Sequence, residues 1–187
     1  MRKSLIAILL TGLFITAVHG ICFGENLIKN GSFEDINPDM TPVGWTISTS
    51  RNTEIDLSFD AADKISGNRS LKISVLSPAG FATLLPEKAS IGAPVPGKKY
   101  QLTLWVKAEN LDYSQTMVTP AVRLDFRPTR ARPMHMIDLI TDREPGAGWQ
   151  ELRLEVTAPK DAQRFIFDIL LTQGTVWIDD ISLTRID

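Results

Sequence analysis

The feature that most constrains this chain is the regular alternation of apolar and polar residues, interrupted at short intervals by glycine, proline, asparagine and aspartate. Successive side chains of a β-strand point to opposite faces, so alternation predicts strands with one buried face. In residues 99–108 the two faces separate into Tyr100, Leu102, Leu104, Val106 and Ala108 on one side and Gln101, Thr103, Trp105 and Lys107 on the other. We find no convincing helical periodicity, and the chain is therefore predicted to be all-β.

Further segments repeat this pattern, and turn-forming residues separate them. Residues 172–174 read as a tight turn that leads from one strand into the last one. Many short strands divided by such turns are typical of an antiparallel β-sandwich. The other predicted strands are 44–49, 53–59, 69–76, 122–126, 136–140, 149–156 and 164–171.

The first 24 residues are predicted to be a signal peptide. Arg2 and Lys3 precede an apolar stretch over residues 5–18, which is too short to be a comfortable transmembrane helix. Cleavage after Gly24 is favoured over cleavage after Gly20, and a lipid anchor on Cys22 is the rival interpretation. Residues 25–187 would then form a single secreted or periplasmic domain without cysteine and without a membrane span.

The charge balance and the residue types exclude several functions. The chain has 22 acidic and 20 basic residues, so it has no overall electrostatic reason to bind nucleic acid or an anionic membrane. The segment after residue 24 contains one histidine, His135, and neither a nucleophile-elbow nor a zinc-protease motif. No spacing of carboxylates points to a glycosidase pair, so the protein is predicted not to be an enzyme.

Several short motifs occur in an order that resembles the carbohydrate-binding modules attached to bacterial xylanases and cellulases. They are Asn30-Gly31-Ser32-Phe33-Glu34, Gly44-Trp45, Ser66-Gly67, Pro96-Gly97, Trp105, Trp149 and Trp177-Ile178-Asp179-Asp180. This resemblance implies a two-sheet antiparallel β-sandwich, a jelly roll like that of galactose-binding domains. It also implies binding of a polysaccharide or oligosaccharide. A separately encoded glycoside hydrolase or an envelope protein is a possible partner, because no catalytic domain is present in this sequence.

The two ends of the domain carry carboxylates that could meet if the chain closes on itself. The resemblance implies a structural cation here, and Ca²⁺ prefers six to eight oxygen ligands. The predicted ligands are Glu34 and Asp179, with carbonyl groups from the turn at residues 66–68. Asp180 is adjacent to Asp179 on a strand and should point to the opposite face. The alternative is that these acids cap turns or face solvent.

The predicted sugar site is the polar face of residues 99–108. Trp105 would stack on a pyranose ring, and planar polar side chains would hydrogen-bond its hydroxyl groups. The predicted partners are Gln101, Lys107, Arg123, Asp125 and Asp168, which share this face if the neighbouring strands pair as expected. The alternative is that a loop, residues 127–133, covers Trp105. Trp45, Trp149 and Trp177 are expected to be structural, with Trp177 in the core beside Ile181 and Leu183.

Two further readings stay open. The arginines Arg123, Arg127, Arg130 and Arg132 with His135 could bind the carboxylate or sulfate of an acidic polysaccharide, or could be solvated. The protein could also be an interaction module of the cell envelope, or a small polysaccharide lyase or hydrolase in which His135, Tyr113 and an arginine converge.

Overall fold

The computed structural model describes residues 24–112, 114–116, 118–128, 135–139 and 148–187. Over these ranges it contains nine β-strands and one short 3₁₀ turn, Lys88–Ser90, so the all-β prediction is confirmed. None of the helical structure in the described part is long and apolar enough to cross a bilayer. The strands are β1 Trp45–Thr49, β2 Ile55–Asp60, β3 Ser70–Val75, β4 Phe81–Pro86, β5 Lys99–Asp112, β6 Ala121–Arg127, β7 Met136–Asp138, β8 Gln150–Thr157 and β9 Arg164–Arg185.

The strands form two antiparallel sheets that share β9. The first sheet has the order β2–β3–β9–β5–β8, and the second has the order β1–β4–β9–β6–β7. The inward faces of the two sheets contribute to one apolar core. This arrangement confirms the predicted two-sheet antiparallel sandwich.

Strand β9 passes from one sheet to the other without a turn. Residues up to Thr172 pair with β4 and β6, and residues from Gln173 onward pair with β3 and β5. The tight turn predicted at residues 172–174 is therefore wrong. Gly174 has a φ of 125°, and a Cβ atom there would meet the carbonyl oxygen of Asn110 at 2.7 Å. Glycine is required because it tolerates this angle and leaves room for the neighbouring backbone.

Aromatic rings join the two sheets across the core. The ring of Phe165 in the second sheet lies 5.0 Å from that of Tyr100 in the first sheet and 5.3 Å from that of Phe126. The hydroxyl of Tyr100 accepts a hydrogen bond from the backbone N–H of Val95 at 2.6 Å. Burying side chains of this size stabilises a fold by about 1.5–3 kcal/mol each.

A β-bulge at Asp180 changes which side of β9 faces the core. Thr103 pairs with Ser182 and Trp105 pairs with Asp179, so β9 contains one extra residue between these pairs. Asp180 takes up the extra residue with a φ of 50°. Residues Ile181 and Leu183 consequently join the core, whereas Trp177 lies on the opposite side. The prediction that Trp177 packs in the core with them is wrong. It assumed that residues two apart in β9 always face the same side, and the extra residue of the bulge reverses the side that follows.

The two ends of the domain meet, as predicted. The N–H of Leu27 donates to the carbonyl of Leu183 at 2.8 Å, and the N–H of Ile181 donates to the carbonyl of Gly31 at 2.9 Å. Asn26 adds a side-chain bond, since its Oδ1 accepts the N–H of Leu183 at 2.9 Å. The segment that follows residue 24 thus closes against the last strand.

Candidate functional site

The residues predicted to form one sugar site lie on two different surfaces. Trp105, Gln101 and Lys107 project from the outer face of the first sheet, because the alternate residues of β5 point into the core. Arg123, Asp125 and Asp168 project from the outer face of the second sheet. The core separates the two faces, so the expectation that all six share one face is wrong. Alternation predicts which residues of one strand share a face, but it does not predict the sheet to which that strand belongs.

On the second sheet, Arg123 and Asp168 form a directional ion pair. They are direct partners across β6 and β9. The Nε of Arg123 donates to both carboxylate oxygens of Asp168 at 3.1 Å, and its Nη2 donates to Oδ2. Asp168 is 6% exposed and the guanidinium is more open. Such a planar, charge-assisted contact holds both groups in a fixed orientation.

Asp125 lies on the same face and is 2% exposed. Its Oδ1 accepts the backbone N–H of Phe126 at 2.8 Å. The Nδ1 of His135 lies 3.9 Å from that oxygen and is itself buried without a hydrogen-bond partner among the described residues. The carboxylate of Asp125 is therefore used within the fold and offers little surface to a ligand.

A cavity of about 450 Å³ opens beside the ion pair, where β4 and β9 diverge. Leu84 and Ile169 are the last paired residues, and beyond them β4 follows β1 while β9 follows β6. This volume lies within the range of small-molecule sites, about 300–1,000 Å³. Its lining combines an apolar floor with a polar rim: Leu85, Pro86, Lys88, Ile91, Gly92, Ala93, Arg127, Gln163, Arg164, Phe165, Ile166, Phe167 and Asp168.

The outer face of the first sheet is built around Trp177. Its ring lies between two ammonium groups, with the Nζ of Lys72 at 4.8 Å and that of Lys107 at 4.5 Å from the ring centre. Its Nε1 donates to Oδ2 of Asp60 at 3.0 Å. Because the ring is 5% exposed, this tryptophan is a packed element of the face and offers little surface to a ligand.

Charges on this face are paired with one another. The Nζ of Lys107 contacts Asp63 at 2.5 Å and Glu109 at 3.0 Å, and Nε1 of Trp149 donates to Asp63 at 2.7 Å. The hydrogen bond from Lys107 lowers the pKa of Asp63, and the same bond raises the pKa of Lys107. Both indoles belong to an outer polar cluster that sequence reasoning missed, since it considered only Trp105 there.

Trp105 itself is partly exposed between two acidic neighbours. It pairs with Glu151 of β8 and with Asp179 of β9. Gln101, on the same face, donates to Glu155 at 3.0 Å. The alternative cover, residues 127–133, begins at the end of β6 on the other sheet, and residues 129–133 are outside the described ranges.

Asp179 is held by backbone amide groups. Its Oδ2 accepts the N–H of Ile65 at 2.9 Å and that of Ser66 at 3.2 Å, and its Oδ1 accepts the N–H of Asp180 at 2.8 Å. The side chain is fully buried, and this burial raises the pKa of Asp179 despite the three hydrogen bonds. We call Asp179 with residues 65, 66 and 180 the amide clamp.

Glu34 contacts the same turn from the other end of the chain. Its Oε1 accepts the N–H groups of Asn68 at 2.8 Å and Arg69 at 3.1 Å, and its Oε2 accepts Nδ2 of Asn68 at 2.9 Å. Burial alone would raise the pKa of Glu34, but these bonds outweigh it and the pKa is lowered. Gly67 allows the approach, since a Cβ atom there would lie 2.4 Å from Oε1.

These donors do not fit the predicted calcium site. The turn does lie against both carboxylates, but it presents N–H groups to them, and an N–H group cannot ligate a cation. Over the described ranges, no three acidic, histidine or cysteine side chains are close enough to hold a metal ion. Calcium at Glu34 and Asp179 stays a prediction that these contacts do not favour. Arg130, Arg132, Tyr113 and the residues before 24 lie outside the described ranges.

The fold is that of carbohydrate-binding modules, as the sequence resemblance predicted. The CBM22-1 xylan-binding domain of Xyn10C from Paenibacillus barcinonensis is similar, with a TM-score of 0.54 and 14% identity over 88% of this chain and 96% of that domain. No family model matches the sequence, and no curated protein matches it.

Enzymes also share the fold. The enzymatically active domain of tailspike protein 4 from bacteriophage CBA120 has a TM-score of 0.62 and 18% identity over 86% of this chain, which spans only 21% of that structure. The Stig cyclase Fisc from Fischerella sp. TAU has a TM-score of 0.60 and 14% identity over 88% of this chain and 98% of that one. Identities this low show a common fold and leave the function to the site.

Proposed function

We propose that the protein binds carbohydrate on the outer face of the second sheet and does not catalyse a reaction. The observation that carries this proposal is the cavity beside the Arg123–Asp168 pair. The pair can exchange directional hydrogen bonds with hydroxyl groups while its own geometry stays fixed. The apolar floor can contact the C–H face of a pyranose ring, for which it is large enough.

Proteins with this fold support the choice of ligand. One is described as a xylan-binding domain, and another was determined in complex with β-1,4-galactotriose. The tailspike and cyclase structures mean that the fold alone does not decide between binding and catalysis. The site favours binding, because part of the acceptor capacity of Asp168 is used by a guanidinium that orients the carboxylate and does not exchange protons with it, and the rest can accept from sugar hydroxyl groups.

We also propose that residues 1–24 are removed on export and that the domain acts beside a glycoside hydrolase. N-terminal sequencing of the exported protein would test the first point. A first residue of Glu25 is expected, and an intact Met1 would contradict export by this route.

The experiment is retention of the protein by native affinity electrophoresis in gels containing xylan, galactan, glucomannan or polygalacturonate. Asp168→Asn removes the charge of the central acceptor, and we expect it to weaken binding by about 10–100-fold, the loss typical of one hydrogen bond to a charged group. Ile166→Trp should block the cavity without touching the ion pair. Circular dichroism confirms that each variant is folded.

Trp105→Ala is the matched control, because it removes the predicted platform on the opposite face. Retained binding in Trp105→Ala, with loss in both variants of the second sheet, supports the site. Loss in Trp105→Ala alone would move the site to the first sheet, as the sequence predicted. Retention by none of the glycans would reject carbohydrate binding itself.

A further inference from the structure

The rim of the cavity carries positive charge that nothing in the described part of the chain balances. Lys88, Arg127 and Arg164 line it, and all three are exposed. Over the described ranges none of them forms an ion pair, whereas Lys107, Arg123 and Arg153 each have an acidic partner. The rim thus brings three cations without an acidic partner in the described ranges to one cavity.

Two of these cations are placed directly against each other. Arg127 and Arg164 are partners across β6 and β9, and both point to the outer face of the second sheet. Like charges at opposed positions of an antiparallel pair destabilise a sheet. An arrangement that costs stability in the free protein becomes favourable when an anion lies between the two guanidinium groups.

Among the described residues, the acids at this cavity do not supply that anion. Asp168 is the one carboxylate that lines the cavity, and its oxygens already accept from Arg123. The chain as a whole has a formal net charge of −2, so the basic rim does not reflect a basic composition. Positive charge therefore gathers at this cavity although the chain as a whole is slightly acidic.

We infer that the cavity binds a uronic acid residue, a sugar that carries a carboxylate. The guanidinium groups of Arg127 and Arg164 suit a planar carboxylate, which two parallel N–H groups can hold at once. Leu85 and Ile166 on the floor face the ring of the same sugar. The inference rests on the proposed function, since it names the class of glycan that the second-sheet site takes.

The test compares trigalacturonate with its methyl ester and with neutral galactotriose in isothermal titration calorimetry. The ester has the same ring and the same hydroxyl groups but no charge. We expect the acid to bind at least about 10-fold more tightly than the ester, and its affinity to fall as salt is added. Arg127→Gln and Arg164→Gln should each weaken the binding of trigalacturonate by about 10–100-fold, and should weaken the binding of galactotriose by a much smaller factor.

Arg153→Gln is the matched control, because it removes the same charge from an exposed position on the first sheet. It should leave the affinity for trigalacturonate unchanged. Dextran sulfate at equal ionic strength is a second control, which separates recognition of a carboxylate from simple ion exchange. If dextran sulfate bound as tightly as trigalacturonate, the inference would be overturned.

The outcomes also distinguish this inference from the proposed function. Equal affinity for acid and ester, with binding still lost in Asp168→Asn, would overturn the uronate and leave carbohydrate binding in place. Absence of binding to all of these sugars and to the gel panel would overturn both.

Discussion

Replacing Asp179 with asparagine tests how the last strand is held to the turn at residues 65 and 66. A carboxylate offers two acceptor oxygens, and in the amide clamp both are used by N–H groups. Asparagine keeps one oxygen and puts an NH₂ group in place of the other. Whichever way the amide is turned, at least one buried N–H then faces another donor.

The expected cost follows from this count. Losing a hydrogen bond to a charged acceptor costs about 1.5–3 kcal/mol. Burial raises the pKa of the Asp179 carboxyl, which shows that burying its charge is unfavourable. The asparagine variant no longer buries this charge, and part of the loss is therefore offset. A net loss of about 1–2 kcal/mol corresponds to a fall of about 2–8 °C in the melting temperature of a domain of this size.

Differential scanning fluorimetry at neutral pH, with and without EDTA, measures the effect. Asp180→Asn is the matched control, because it makes the same chemical change at a neighbour whose carboxylate accepts one bond, from the hydroxyl of Ser66 at 2.7 Å. We expect Asp179→Asn to lower the melting temperature more than Asp180→Asn does. EDTA should leave the native protein unchanged, because N–H groups already occupy the carboxylates.

Two results would refute this reasoning. Equal melting temperatures for Asp179→Asn and the native protein would mean that the amide clamp does not stabilise the contact between the last strand and the turn. A fall of several degrees on chelation, reversed by added calcium, would show that Ca²⁺ holds the carboxylates as the sequence predicted.

Two other changes probe the strand crossover and the charged face of the first sheet. Gly174→Ala should destabilise the protein by about 2–3 kcal/mol in urea unfolding, because alanine is strained at a φ of 125° and its Cβ would approach Asn110; a loss below about 0.5 kcal/mol would contradict the crossover geometry. Asp63→Asn should lower stability at neutral pH, since the contact with Lys107 lowers the pKa of Asp63 from 3.8. The folded pKa lies below the unfolded one, so this contribution is present above pH 3.8 and is lost as the pH falls further. The difference between the variant and the native protein should therefore close in acid, and a difference that stays constant down to pH 2 would contradict the assignment.

The strands could be predicted because their signal is local. Period-two alternation is a property of neighbouring residues, and the segment at 99–108 corresponds to the first part of β5. The motifs at the two ends of the domain are also local, and they indicated that the ends could meet. The structure shows this contact, since the N–H of Leu27 donates to the carbonyl of Leu183. Local pattern and recurring motif were together enough for the fold.

The site was harder to predict because it depends on pairing between distant strands. Trp105 and Arg123 have the parity of outward residues, but β5 and β6 lie in different sheets. The crossover at Gly174 and the bulge at Asp180 both alter β9, and neither leaves a periodic signal in the sequence. A positive φ at an aspartate is visible only once the register is known.

The sequence contained only part of the information needed to predict the cavity. Arg127 belongs to the basic segment that suggested an anionic glycan, but Lys88 and Arg164 come from distant parts of the chain and carry no motif. Their convergence follows from the divergence of β4 and β9, which is a feature of the sheet and not of any one segment.

The cations around Lys107 on the first sheet and those at the cavity of the second sheet differ in how their charges are neutralised, and this difference favours the second sheet as the binding surface. On the first sheet Lys107 is paired with acids of the protein itself, so a ligand would have to break contacts that the fold already makes. On the second sheet Arg127 and Arg164 oppose each other without an acidic partner in the described ranges, so an arriving anion relieves a repulsion and breaks nothing. Because free energy of binding counts the difference between free and bound states, the unpaired surface gains more from the same ligand than the paired one.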